Sequence, residues 1–216
     1  QGNQYMVDVE ALGTKAGAVI LSLGVFRFNV LEDPDSLIKR GFACSQAGDA
    51  GDESGFRVLL DLVEQGAAGI DPATVAWWLK SKSPDLAAYQ FFGEPRHGLR
   101  EVSLRLTDFM RSGWDREGSK MWVRGTDFDP ALLRARLPEF EGHRPGHFSD
   151  TCDVRTWELA HLGTEQLWFY NMHFIKAQCE RVREACGGAH DPLADSVSQA
   201  LSVLLVQSRN LGFAQG

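Results

Sequence analysis

Asp8 and Glu10 stand one residue apart in the otherwise apolar run YMVDVEA, residues 5–11. Side chains alternate along a strand, so the two carboxylates share one face about 6.5–7 Å apart by rise, while Val7, Val9 and Ala11 take the other. Unpaired burial of two like charges is costly, and one group ordinarily becomes neutral. A divalent cation between them removes that cost, and such oxygen donors suit magnesium or manganese, which also bind substrate phosphate. The alternative is a solvated face on which the acids have no task. GTDFDPALL, residues 125–133, sets Asp129 at the N-cap of a helix directly after a short strand. That is the strand end where ligands gather in an α/β sheet, although capping alone also accounts for an Asp there. HDPLADSVSQAL, residues 190–201, puts His190 just before a helix and Asp195 near its first turn, close enough to face one pocket. Either is also an ordinary surface residue when taken singly. Together the three stretches describe an acid pair, a third acid and a His–Asp pair.

The elements that must bring these residues together follow from local pattern. Residues 5–12 and 18–28 read as a hairpin joined by the turn residues GTKAG, and FRVLLDL, residues 56–62, reads as a further strand after a solvated Asp- and Gly-rich loop at 48–55. DPATVAWWLKSKS opens with Asp71 as N-cap and Pro72 at the first helical position. A second helix follows in LREVSLRLTDFMRSG, and MWV (121–123) is a short strand. DPALLRARL and HDPLADSVSQALSVLLVQ repeat the Asp-Pro helix start. Strands interleaved with helices predict an α/β domain, and the leading hairpin makes its sheet mixed.

With 216 residues, 44% hydrophobic and 24% charged, the chain is expected to form one soluble domain, with no internal repeat and no low-complexity tract. No run approaches the length of a membrane span and no signal-peptide pattern opens the chain, so a cytoplasmic protein with no membrane partner is expected. Cys44, Cys152, Cys179 and Cys186 lack metal or disulfide spacing and read as reduced, structural thiols. His97, His143, His147, His161 and His173 have no ligand spacing either. A net charge of −7 argues against a general polyanion-binding surface, unless metal ions or a local basic patch mediate the contact.

The order DVE, FD, HDPLAD resembles the DEDDh 3′-to-5′ exonucleases of the ribonuclease H-like superfamily. DVEALGTKAGAVILSLGVFRF, DPATVAWWLKS, WVRGTDFDPALL, CDVRTWELA and HDPLADSVSQAL are similar, in that order, to a branch related to RNase AS and DexA-type phage exonucleases. The resemblance implies a central mixed sheet flanked by helices. It implies two divalent cations, Mg²⁺ or Mn²⁺, held by Asp8, Glu10, Asp129 and Asp195, with His190 as general base. Asp127 competes with Asp129, but in the family the acid following Phe is the ligand. Two metal ions can hold the attacking water and leaving oxygen of a phosphodiester displacement. The implied partner is single-stranded nucleic acid, RNA or DNA, with a free 3′ end, and the products are nucleoside 5′-monophosphates. Leu12, Gly13 and Thr14 follow the first motif and are candidate contacts to the terminal nucleotide. Trp77, Trp78 and Trp122 are candidate base platforms, with core packing the favoured task for at least one of each pair, and Arg155 is a candidate phosphate ligand or else a brace for a structural carboxylate. Pro192 and a long stretch at residues 161–189 depart from the family pattern. The aromatic-rich residues 157–174 offer a surface for a homodimer. A small-nucleotide or dinucleotide phosphodiesterase, or a non-catalytic nucleic-acid-binding protein on the same fold, are the other classes.

Overall fold

The computed structural model describes residues 2–66, 69–80, 84–137, 139–140, 150–162 and 165–213. The expected hairpin is β1 (Gln4–Ala11) and β2 (Ile20–Phe28), paired antiparallel in a register that sets Asp8 opposite Gly24 and Glu10 opposite Ser22. β3 (Gly55–Leu60) extends the sheet antiparallel to β2, and β4 (Arg96–His97) pairs parallel to β3. β5 (Lys120–Val123), which contains MWV, lies parallel to β1, and β6 (Thr151–Asp153) lies parallel to β5. The sheet order is β4-β3-β2-β1-β5-β6. This is the mixed, helix-flanked sheet of a ribonuclease H-like exonuclease fold.

The helices are α1 (Pro34–Gln46), α2 (Leu62–Gln65), α3 (Pro72–Leu79), α4 (Pro84–Phe92), α5 (Leu99–Arg111), α6 (Asp129–Arg136), α7 (Val154–His161), α8 (Glu165–Cys186) and α9 (Pro192–Phe213). The Asp-Pro start works as expected at Asp71 and Asp191, and also opens α1 at Asp33, where no helix is expected. Asp33, Asp71 and Asp191 accept hydrogen bonds from the Ser36, Ala73 and Leu193 amides at 3.0, 3.1 and 3.1 Å. Asp129 is a correction to the capping expectation: α6 begins at Asp129 itself, and the residue before it, Phe128, makes no side-chain cap. Its carboxyl is buried and engages the Val9 backbone of β1, which is why it is not free to close the helix end.

Local pattern places no helix or strand over α1, α4, β4, β6, α7 or α8, and reads Leu62, the first residue of α2, as the end of a strand. β4 and β6 span two and three residues and exist only through parallel pairing with a longer strand. α8 fills most of the long stretch at residues 161–189.

Alternation along β1 separates two cores. Tyr5, Val7 and Val9 pack with Val102, Leu106 and Met110, the four-residue stripe of α5, and with Leu132 and Leu133 of α6. On the opposite face Met6, Phe26 and Phe28 meet Leu37 of α1, Val154 of α7, Val182 of α8 and Leu193, Val197, Leu201 and Leu204 of α9. Asp8 and Glu10 project on this second face, at the head of α9. Gly24 explains how the helix comes so close: a Cβ there would overlap the Pro192 backbone, and its carbonyl accepts from Ser196 Oγ at 3.3 Å. Among the described residues no helix is long and apolar enough to cross a membrane.

Candidate active site: an acid cluster at the head of the last helix

One cleft of about 470 Å³ is lined by Asp8, Glu10, Asp129, His190 and Asp195 together. β1 supplies the first two, the β5–α6 junction the third, and the head of α9 the last two. Ligand atoms of Glu10, His190 and Asp195 lie within 4.8 Å of one another. His190 Nδ1 is 3.3 Å from Glu10 Oε1, and the His190 backbone N–H donates to Asp195 Oδ2 at 2.8 Å. Two further residues reach the acids. Gln199 Nε2 donates to Asp8 Oδ1 at 2.9 Å, and Arg183 Nη1 stands 3.5 Å from Asp195 Oδ1. Sequence reasoning did not identify either. Gln199 follows Asp195 by four residues on one helix face, a spacing that could have signalled it; Arg183 arrives from α8, with no local signal.

Burial controls the charges here. It pushes the Asp8 and Glu10 carboxyls well above the ordinary range, reinforced for both by Asp195 and Asp129. Burial also raises Asp129 to about 7, against the pull of the Val9 backbone and Arg155. Asp195 is raised by burial as well, and the His190 N–H and Arg183 offset part of that rise. Burial lowers the His190 pKa, with Asp195 pulling the other way. Four acids therefore share a cleft with too little positive charge to ionise all of them comfortably, the condition that a bound cation relieves.

A family model described as the 3'-5' exoribonuclease Rv2179c-like domain matches residues 3–207. The chain belongs to this family. No curated protein matches it.

Around the acids, this Rv2179c-like domain distributes the remaining candidates unevenly. Arg155 lines the same cleft as Asp129. Leu12 is a core side chain packed with Val19, Leu21 and Trp78, its N–H given to Val19 and its C=O taken by Asp71. Gly13 is buried and Thr14 exposed at the turn after β1. None of these three borders the acid cleft. Trp77 is 49% exposed, and its ring meets the His190 imidazole edge-on at 4.9 Å. Trp78 and Trp122 are buried, and their indole N–H groups bond the Ala11 carbonyl at 3.2 Å and Gln4 Oε1 at 2.8 Å, so neither offers a base a free face. Burial pushes the Cys44 and Cys179 thiols up to about 12, which keeps them unreactive. His143, His147 and part of the 157–174 segment lie outside the described residues.

Proposed function

We propose that this domain is a metal-dependent 3′-to-5′ exoribonuclease of the DEDDh type, in which Asp8, Glu10, Asp129 and Asp195 hold two divalent cations and His190 is the general base. The observation that carries this reading is the meeting of four charge-starved carboxyls and one imidazole in a single cleft. The donor set fits the ions, because carboxylate oxygens are the hard ligands that Mg²⁺ and Mn²⁺ take. When bound, the ions supply activation of water and stabilisation of charge developing on the phosphate.

The chain's own groups account for the rest of the reaction. Burial disfavours the imidazolium, so His190 is neutral near pH 7 and accepts the proton of the attacking water. The water oxygen bonds to phosphorus and the bond from phosphorus to the 3′ oxygen breaks. The 3′ oxygen leaves with the bonding pair and takes a proton from solvent, so the shortened strand ends in a 3′-hydroxyl, and the released nucleotide keeps the phosphate as a nucleoside 5′-monophosphate. Arg155, beside Asp129, pairs with a phosphate of the strand. Trp77 offers its exposed face to a base. RNA is preferred on the strength of the family's description, and a single strand because the terminal nucleotide must enter the cleft unpaired.

The test is a time course on matched 5′-labelled single-stranded RNA and DNA 20-mers and a dinucleotide, with Mg²⁺, Mn²⁺ or EDTA, for the wild type, Asp8→Ala and His190→Ala. A metal-dependent ladder shortening from the 3′ end of RNA, absent in both variants, is expected. Cleavage confined to the dinucleotide, or folded wild type that cuts nothing with metal present, rejects the reading.

A further inference from the structure

Among the described residues, His190 alone combines a side chain with a positive φ, +68°. L-residues disfavour that region, and a structure retains one there only when its surroundings hold it. Both backbone polar groups of His190 are held by side chains. Asp195 takes the N–H, and the carbonyl accepts from Gln90 Nε2 at 3.0 Å. Gln90 belongs to α4, is fully buried and does not border the acid cleft. Among the described residues its Oε1 has no hydrogen-bond partner, so an apolar side chain of the same length would fill the space at lower desolvation cost. The amide adds one thing such a residue lacks, the donor to the His190 carbonyl.

The helix that carries Gln90 is itself anchored. Arg96 donates to the Gln90 carbonyl at 2.8 Å and to the Leu60 carbonyl at the end of β3 at 3.0 Å. The next residue along the loop is fixed from the same side. Asp191 pairs with Arg57, whose Nε meets Asp49 at 3.2 Å, and Asp49 also accepts from Tyr89, the residue before Gln90, at 2.9 Å. With both ends of the peptide fixed, the direction in which the imidazole leaves the backbone is fixed too.

We infer that Gln90 is a positioning residue: its amide holds the His190 carbonyl in the left-handed turn and thereby aims the imidazole at Glu10 and Asp195, without touching metal or substrate. This rests on the reading of His190 as general base. The experiment compares wild type, Gln90→Met, Gln90→Asn, His190→Ala and the Gln90→Met/His190→Ala double variant, each checked for folding by circular dichroism. kcat and KM are measured on a 5′-labelled RNA oligonucleotide across a Mg²⁺ titration. Gln90→Met keeps the packing and drops the donor, whereas Gln90→Asn keeps the amide but withdraws it by one carbon, so one stands in if the other fails to fold.

The expected result is kcat lowered about tenfold, with KM and the Mg²⁺ midpoint within about twofold, and a double variant no slower than His190→Ala, since residues acting as a unit are non-additive. A purely structural Gln90 would lower the melting temperature and leave kcat of the folded protein unchanged, which overturns the inference. A Gln90→Met loss that multiplies in full onto that of His190→Ala overturns it as well. If His190→Ala retains wild-type kcat, the general-base reading falls first and takes the inference with it. If His190→Ala is inactive while both Gln90 variants are unimpaired, only the inference falls.

Discussion

Residue by residue, the cleft binds protons more tightly when folded than the unfolded chain does, and this fixes the sign of its pH dependence. Asp129 moves from an ordinary carboxyl to about 7, and Asp8, Glu10 and Asp195 move the same way. A raised acid contributes stability that is complete below its unfolded pKa, about 4, and lost as pH climbs through its folded value. His190 acts oppositely, losing stability as pH falls below about 6.5, but it is one group against four. The metal-free protein in EDTA should therefore melt higher at pH 5 than at pH 7.5, and Mg²⁺ should raise the melting point at pH 7.5 far more than at pH 5. Calorimetry at the two pH values checks this; a melting point in EDTA that rises with pH contradicts it. Replacing His190 with Ala should lower kcat by about 10²–10⁴-fold, the usual share of a general base, with the Mg²⁺ midpoint retained. Asp8, Glu10, His190 and Asp195 were legible because strand alternation and helix-start chemistry act over a few residues. Gln90 and Arg57 were not, because their partners lie 100 and 134 residues away and nothing in their local sequence marks them.

Among the elements, α9 decides the site, and Gly24 decides where α9 sits. The strand pairing that puts Gly24 opposite Asp8 lets the Pro192 backbone lie directly on the sheet. Gly24→Ala should cost about 1–3 kcal/mol by overpacking, read as a lower urea midpoint. It should also raise the Mg²⁺ concentration needed for half-maximal rate, because His190 and Asp195 travel with the displaced helix head. An alanine variant with wild-type stability and metal response would show that α9 does not set the site. The long strands and the Asp-Pro helix starts at Asp71 and Asp191 were legible from turn and capping chemistry. Asp129 misled that same logic because its carboxyl turns toward the Val9 backbone and the acid cluster, and α6 begins at Asp129 itself. β4 and β6 had no run long enough to declare themselves.

Across the whole molecule, a net charge of −7 sets a condition on binding an anionic strand. The acid cleft should repel phosphate when free of metal and attract it when loaded. His190→Ala protein should therefore bind a 5′-labelled RNA 10-mer, followed by fluorescence anisotropy, in Mg²⁺ but not in EDTA. A shallow salt dependence is expected, since of the four basic residues lining the cleft, Arg124, Arg155, Lys176 and Arg183, two already pair with Glu158 and Asp195. Equal affinity with and without metal would point to a basic track elsewhere. The mixed character of the sheet was legible from its leading hairpin, whereas the order β4-β3-β2-β1-β5-β6 was not, because β1 pairs with β5 across more than a hundred residues. That separation also gives the site an order in time. Asp8 and Glu10 leave the ribosome before His190 and Asp195, which follow some 180 residues later on α9. On the exoribonuclease reading, a half-made chain holds two acids and no base, so the nascent protein is inert toward the message that encodes it, and any chain that stops short of α9 stays so.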